Sequence, residues 1–220
     1  MKNIKAIIFD AYGTLFDVNS AAEKCKEKIG DKWEAFANYW RTTQLEYTWL
    51  RSLMKRHKDF WQVTEDSLDK SMKVFNIDSS MRDELLDLYK ILSPYSEVTE
   101  VLKSLKNKKY KISILSNGTP SLLNTLVKSN NLENLFDDIF SIEEVGIYKP
   151  DSKVYDMPIK KYKIKNNEVT FLSANTWDVS GGGNYGFNSI WVNRNNNIFD
   201  NLDYKPKHEI KSLEQLLNLI

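Results

Sequence analysis

An α/β fold built on a parallel sheet, with an all-helical insert near its start, follows from three features of this 220-residue sequence. Short unbroken apolar runs recur along the chain, helical patterns separate them, and one long stretch after the first run holds helical pattern only. A strand buried on both faces of a parallel sheet reads as a continuous apolar run, because neither face meets water. Strands that alternate with helices connect by right-handed crossovers, which lay the helices on the faces of the sheet.

Ala6-Ile7-Ile8-Phe9 is the first run. From about Asn19 to Ser93 no convincing strand appears. There Trp33, Phe36, Ala37 and Trp40 form one helical stripe, and Met81, Leu85, Leu88, Tyr89 and Leu92 form another. Ser80 with Asp83 is expected to make a capping box for that last helix. Four of the six tryptophans (Trp33, Trp40, Trp49, Trp61) fall in this stretch, enough to give the insert an apolar centre of its own. Pro94 marks the return to the sheet. Val98, Val101, Leu102 and Leu105 predict a helix after Ser96, and Ile112 to Leu115 predict the second strand. Thr119-Pro120 supplies an N-cap and a first-turn proline for a helix through Leu122, Leu123 and Leu126. A weaker strand at Ile139-Phe140-Ser141 and two further runs, Val169 to Leu172 and Ile190 to Val192, complete the sheet. The polar run Asn193 to Asn197 is expected as a surface turn. The expected division is a core of residues 1–18 and 94–220 with a helical insert over 19–93.

Composition narrows the function. Lys plus Arg total 31 against 30 for Asp plus Glu, so no field of one sign points to nucleic acid or an anionic membrane. No segment approaches the roughly 18 apolar residues of a membrane span. The start, Met1-Lys2-Asn3-Ile4-Lys5, leads into an apolar run too short for a signal peptide. With one cysteine, Cys25, no internal disulfide forms, and a cytoplasmic location is expected.

Ligands of open parallel sheets bind outside the carboxyl ends of the strands, so the residues after each apolar run are the candidates. The first run ends in Asp10-Ala11-Tyr12-Gly13-Thr14, and the second in Ser116-Asn117-Gly118. The weaker strand leads to Lys149-Pro150-Asp151, and the next run ends in Ser173-Ala174-Asn175-Thr176-Trp177-Asp178. Any one of these could be a helix cap. Two aspartates and a lysine on one rim point instead to chemistry.

Phe9-Asp10-x-Tyr12-Gly13-Thr14-Leu15, Leu115-Ser116-Asn117-Gly118, Tyr148-Lys149-Pro150-Asp151 and Asn175-Thr176-Trp177-Asp178 together resemble, in order and spacing, the four motifs of the haloacid dehalogenase superfamily. The resemblance covers essentially the whole chain. It implies a Rossmann-like parallel core, haloacid dehalogenase-like in fold, with an inserted helical cap domain. Most of the superfamily are phosphatases, which carry a second aspartate two positions after the nucleophile and hold Mg²⁺ with carboxylates. Tyr12 stands in that position here, and a phenol is far too weak an acid for the task. A halide leaves without a proton. Arg41, in Trp40-Arg41-Thr42-Thr43-Gln44-Leu45, is similar to the cap arginine of the L-2-haloacid dehalogenases, and Tyr155, Ser173, Asn175 and Trp177 also fall on that subfamily's positions. Pattern alone favours a solvated helix arginine for Arg41, and the other motifs reverse that preference.

The resemblance implies hydrolytic dehalogenation of short L-2-haloacids to D-2-hydroxy acids through an aspartyl ester. Asp10 is the implied nucleophile, with Lys149 keeping it ionised. Arg41 and Asn117 would receive halide; Ser116 and the amides near Ala11 and Tyr12 would hold the substrate carboxylate. Thr14 and Tyr155 would support Asp10 and Lys149, while Leu45, Phe60 and Trp177 line the alkyl pocket, with core packing an equal reading of Phe60. Asp178 would activate water, its geometry fixed by Ser173 and Asn175. No metal or cofactor is implied, and the partners are a small 2-haloacid, halide and, as is common in the family, a second copy of the chain. His57 and His208 stand apart from every motif and read as structural or surface residues. The alternatives are a Mg²⁺-dependent phosphatase of the same superfamily and a non-catalytic binding domain on the same fold.

Overall fold

Six strands, all parallel, form one sheet in the computed structural model, which describes residues 3–220. Met1 and Lys2 of the N-terminal reading lie outside the described residues. The strands are β1 (Ala6–Phe9), β2 (Lys111–Ser116), β3 (Asp138–Ser141), β4 (Val169–Ser173), β5 (Asn188–Val192) and β6 (His208–Ile210), in the order β3-β2-β1-β4-β5-β6. Ala6 to Phe9 are all buried, as an interior strand of a covered sheet requires. The edge strand β6 escapes sequence reading because His208-Glu209-Ile210 is short and mostly polar. Phe9 aligns with Ile114 on one side and Leu172 on the other, so the chain ends of β1 and β4 open side by side. The strand order reverses there, and in such sheets the reversal leaves the crevice that takes ligands.

Between β1 and Pro94 no named strand occurs among the described residues, and the α-helices are α1 (Ser20–Lys24), α2 (Lys26–Ile29), α3 (Trp33–Leu53), α4 (Phe60–Phe75) and α5 (Arg82–Lys90). Asp59 caps α4 by accepting from the Gln62 amide, and Asn76 in the left-handed conformation ends it. Phe36 and Trp40 of α3 pack at 6.1 Å between centroids, and Trp40 meets Tyr89 of α5 at 5.3 Å. Trp40 is buried, whereas Trp33 at the helix start is only half-buried. The stripe continues along α3 through Thr43, Gln44 and Thr48, three buried polar residues whose hydrogen bonds must be met inside the protein. No helix among the described residues is long and apolar enough to cross a membrane.

Two local expectations are corrected. The Ser80–Asp83 capping box does not form: Asp78 accepts from the Ser80 amide at 2.8 Å, a 3-10 turn spans Ser79–Met81, and α5 begins at Arg82. The local Asp78 carboxylate takes the Ser80 amide in a tight turn and leaves it no hydrogen for Asp83. The turn from Asn193 is also not purely superficial. Asn193 is buried and ties Asn197 to Glu209, and Arg194 donates to Glu97 (2.6 Å) and to the Thr14 carbonyl (2.9 Å).

After α6 (Val98–Asn107), the helices α7 (Pro120–Ser129), α8 (Ser152–Tyr162) and α9 (Thr176–Tyr185) each follow a strand. Thr119 caps α7 through the Leu122 amide, with Pro120 as its first residue.

Candidate active site

The turn after β1 is set by Ala11, whose carbonyl accepts from the amides of Leu15 (2.9 Å) and Phe16 (3.0 Å). Gly13 adopts φ +85°, a conformation open to glycine without strain, and this folds Thr14 back onto Asp10. Thr14 donates from Oγ1 to Asp10 Oδ2 at 3.1 Å and accepts from the Ala174 amide at 2.9 Å. Two groups from the end of β4 aim at the same oxygen: Asn175 Nδ2 at 2.9 Å and Ser173 Oγ at 3.4 Å. Asp10 Oδ2 is therefore held by three donors. Oδ1 faces Lys149 Nζ at 3.2 Å.

Lys149 is 1% exposed, and its ammonium also donates to Asp178 Oδ2 at 2.9 Å. Burial alone would favour the neutral amine, but the two carboxylates outweigh it and hold the Lys149 pKa above its ordinary value. Asp178 is fully buried, and desolvation pushes its pKa up to about 6 against the opposing pull of Lys149. Tyr155, expected beside Lys149, donates instead to Asp178 Oδ1 at 2.8 Å. A protonated lysine and a phenol are both donors here, so both converge on the carboxylate between them. Ser173 and Asn175, expected to fix the geometry for hydrolysis of the ester, both hold Asp10 Oδ2.

The second strand end lies against this cluster. Asn117 Oδ1 accepts from the Lys149 amide at 3.1 Å, which leaves its NH₂ group as the donor end. Ser116 is buried, and its Oγ accepts from the Gly118 amide at 3.1 Å. The Tyr12 ring, 2% exposed, stacks on Tyr89 at 5.7 Å and tilts against Phe60 at 5.2 Å. Burial raises its phenol pKa well above the ordinary value, which removes it further from any acid role.

The helical insert reaches the cluster through these rings. Arg41 is half-buried on α3, where its Nη1 donates to Gln44 Oε1 at 2.8 Å. Among the described residues it has no carboxylate partner. Burial raises the Tyr12 and Tyr89 phenol pKa values, with Arg41 opposing and Asp10 adding to that shift in both. Leu45 lies half-buried at the position after Gln44. Trp177 meets Trp49 edge-on at 5.3 Å, and a cleft of about 630 Å³ opens there, lined by Trp49, Leu53, Tyr148, Lys149 and Trp177. Phe60 is 1% exposed, and its amide donates to Glu143 Oε1 at 3.2 Å, whose other oxygen bonds His57 at 2.9 Å. His208 sits at the far edge of the sheet on β6.

Sequence reading missed Glu143, Arg194, Gln44, Thr64 and Tyr89. Only Gln44 carried a local signal, its spacing of three from Arg41 on one helix. The chemistry the cluster supports is nucleophilic: a carboxylate with one oxygen fixed, a buried cation against the other, and a second carboxylate of raised pKa across it.

Comparison with known proteins agrees with this geometry. The family model for haloacid dehalogenase-like hydrolases matches residues 4–186. The (S)-2-haloacid dehalogenase of Pseudomonas fluorescens is 39% identical over 220 residues, covering 99% of this chain and 97% of that one. A solved dehalogenase with an intermediate complex is 36% identical with a TM-score of 0.98, over 100% of this chain and 98% of the other. The L-2-haloacid dehalogenase of Xanthobacter autotrophicus, solved with chloropropionic acid covalently bound, is 31% identical with a TM-score of 0.91 over 98% of each chain.

Proposed function

Since the chain belongs to the haloacid dehalogenase-like hydrolase family, we propose that it hydrolyses short L-2-haloacids to D-2-hydroxy acids and halide through an ester on Asp10. The observation that carries this reading is the asymmetry of the Asp10 carboxylate. Oδ2 is committed to Thr14, Ser173 and Asn175, whereas Oδ1 meets only Lys149 among the described residues. Oδ1 is thus the oxygen with lone pairs to give.

In the first step Oδ1 forms a bond to C2 of the substrate as the carbon–halogen bond breaks, and the halide leaves with the bonding electrons. Arg41, unpaired by any carboxylate, and the Asn117 NH₂ receive it; fixed donors and a cation stabilise a developing anion without reorganisation. Water then attacks the ester carbonyl while Asp178 takes its proton. The negative charge that develops on Oδ2 meets the three donors already aimed there. Collapse breaks the Cγ–Oδ1 bond, the departing oxygen takes the proton held by Asp178 to give the hydroxy acid, and loss of the water's remaining proton to solvent restores the Asp10 carboxylate. In this reading the segment 19–93 acts as a cap domain over a core of 1–18 and 94–220. Leu45, Phe60 and Trp177 shape the alkyl site, and Ser116 with the Ala11 and Tyr12 amides holds the carboxylate.

A Mg²⁺-dependent phosphatase site does not fit these residues. The Lys149 ammonium stands 3.2 and 2.9 Å from the Asp10 and Asp178 carboxylates, so a side-chain cation already meets the charge of that pair, and no group of three or more His, Cys, Asp or Glu that could hold a metal ion occurs among the described residues. Both Asp178 oxygens are engaged, by Lys149 and by Tyr155. Halide release from L-2-chloropropionate is therefore expected to survive EDTA and to yield D-lactate, read by halide electrode and chiral chromatography. Activity lost to chelator and restored by Mg²⁺, or a product of retained configuration, would refute the reading.

The pH dependence follows from Asp178. Its carboxyl is pushed up to about 6, so below that pH the base is protonated and cannot accept a proton from water. Steady-state turnover should fall about tenfold per pH unit on the acid side, with an apparent pKa near 6 that vanishes from single-turnover halide release. A flat steady-state profile from pH 7 down to about 4.5 would remove Asp178 from the base role.

A further inference from the structure

We propose that Gln44 is a positioning residue that fixes the Arg41 guanidinium for halide, an inference that rests on the dehalogenase reading above. Gln44 is 1% exposed, and its side-chain amide is committed on both ends. Oε1 accepts from Arg41 Nη1 at 2.8 Å; Nε2 donates to Thr64 Oγ1 at 2.7 Å and to Tyr89 Oη at 3.0 Å. The amide can sit only one way round. Thr64 spends its hydroxyl hydrogen on the Phe60 carbonyl at 2.7 Å, so it can only accept from Gln44. Arg41 has donors alone, so the Gln44 atom facing it must be the oxygen.

The orientation is braced from three elements. Thr64 belongs to α4, where Trp40 Nε1 also ties its carbonyl at 3.1 Å, and Tyr89 belongs to α5 and stacks on Tyr12 at 5.7 Å. Arg41 itself has no other hydrogen-bond or ion-pair partner among the described residues. A long flexible cation left to solvent samples many rotamers, and holding it in one of them costs entropy that a preformed contact removes beforehand. One hydrogen bond to a buried, uncharged acceptor holds the guanidinium while leaving its charge uncompensated. A carboxylate in the same place would hold Arg41 equally well and cancel the field the halide needs.

Kinetics of Gln44→Leu, Arg41→Ala and the double variant, with bromide as a product inhibitor, test this. Gln44→Leu should lower kcat for L-2-chloropropionate by about ten- to hundredfold with KM little changed, the scale of one hydrogen bond to a charged group. The bromide inhibition constant should rise in parallel. In the Arg41→Ala background the same substitution should cost less than about threefold, because its route of action is gone. Gln44→Glu, whose second oxygen is met once Tyr89 turns its hydroxyl hydrogen toward it and Thr64 gives up the Phe60 carbonyl to do the same, should fold and yet lose bromide inhibition. Equal losses in both backgrounds, or bromide inhibition unchanged in Gln44→Leu or Gln44→Glu, would overturn the positioning role alone. An unimpaired Arg41→Ala enzyme would overturn the halide reading of Arg41 and the proposal together.

Discussion

Asp10→Asn is expected to retain the fold and lose activity by about six orders of magnitude, the scale seen when a covalent nucleophile is removed from other enzymes. The amide is nearly isosteric, so packing around β1 is undisturbed, but it offers no anionic oxygen to C2. It also places an NH₂ group where either Lys149 or the three donors to Oδ2 require an acceptor. Melting temperature and near-ultraviolet circular dichroism report the fold; free halide reports the rate. A single turnover in ¹⁸O-water with enzyme in excess separates the two possible uses of the carboxylate. Attack of water on the ester carbonyl puts the heavy oxygen into Asp10, and the first product carries ordinary oxygen taken from Asp10. Label in the first product with Asp10 unlabelled would make it a general base instead, and the fold assignment would stand.

Asp178→Asn should divide the reaction at its midpoint. In the proposed mechanism, formation of the ester calls on Asp10, Lys149 and the groups assigned to receive halide, whereas its hydrolysis calls on a base. The variant should release one equivalent of halide per site and then stall, with steady-state turnover lower by about 10² to 10⁴, the usual worth of a general base. Mass spectrometry of the peptide carrying Asp10 should then find the 1-carboxyethyl ester adduct. Loss of the burst itself, or full turnover with no adduct, would show that Asp178 does not serve the second step.

The amino-acid sequence by itself determined where the chemistry collects. Apolar runs encode buried strands over four to six residues, and the residues that follow them reach one rim whatever the rest of the chain does. Support of Asp10 by Thr14 was implied by the family resemblance, and the tight turn after β1 brings the two side chains to 3.1 Å. The tertiary structure decided which donor meets which acceptor. Lys149 and Asp10 are 139 positions apart and Asn175 and Asp10 are 165, and no local pattern carries that pairing. Tyr155 goes to Asp178 and Ser173 to Asp10 because packed helices and strands bring those atoms together. The Gln44–Thr64–Tyr89 brace is formed across three helices of the insert. Glutamine and threonine on a buried helix stripe read in sequence as breaks in an apolar pattern. Only in the packed interior, where an unmet hydrogen bond is costly, does each become bound to a single partner set, and so hold a charged neighbour in place.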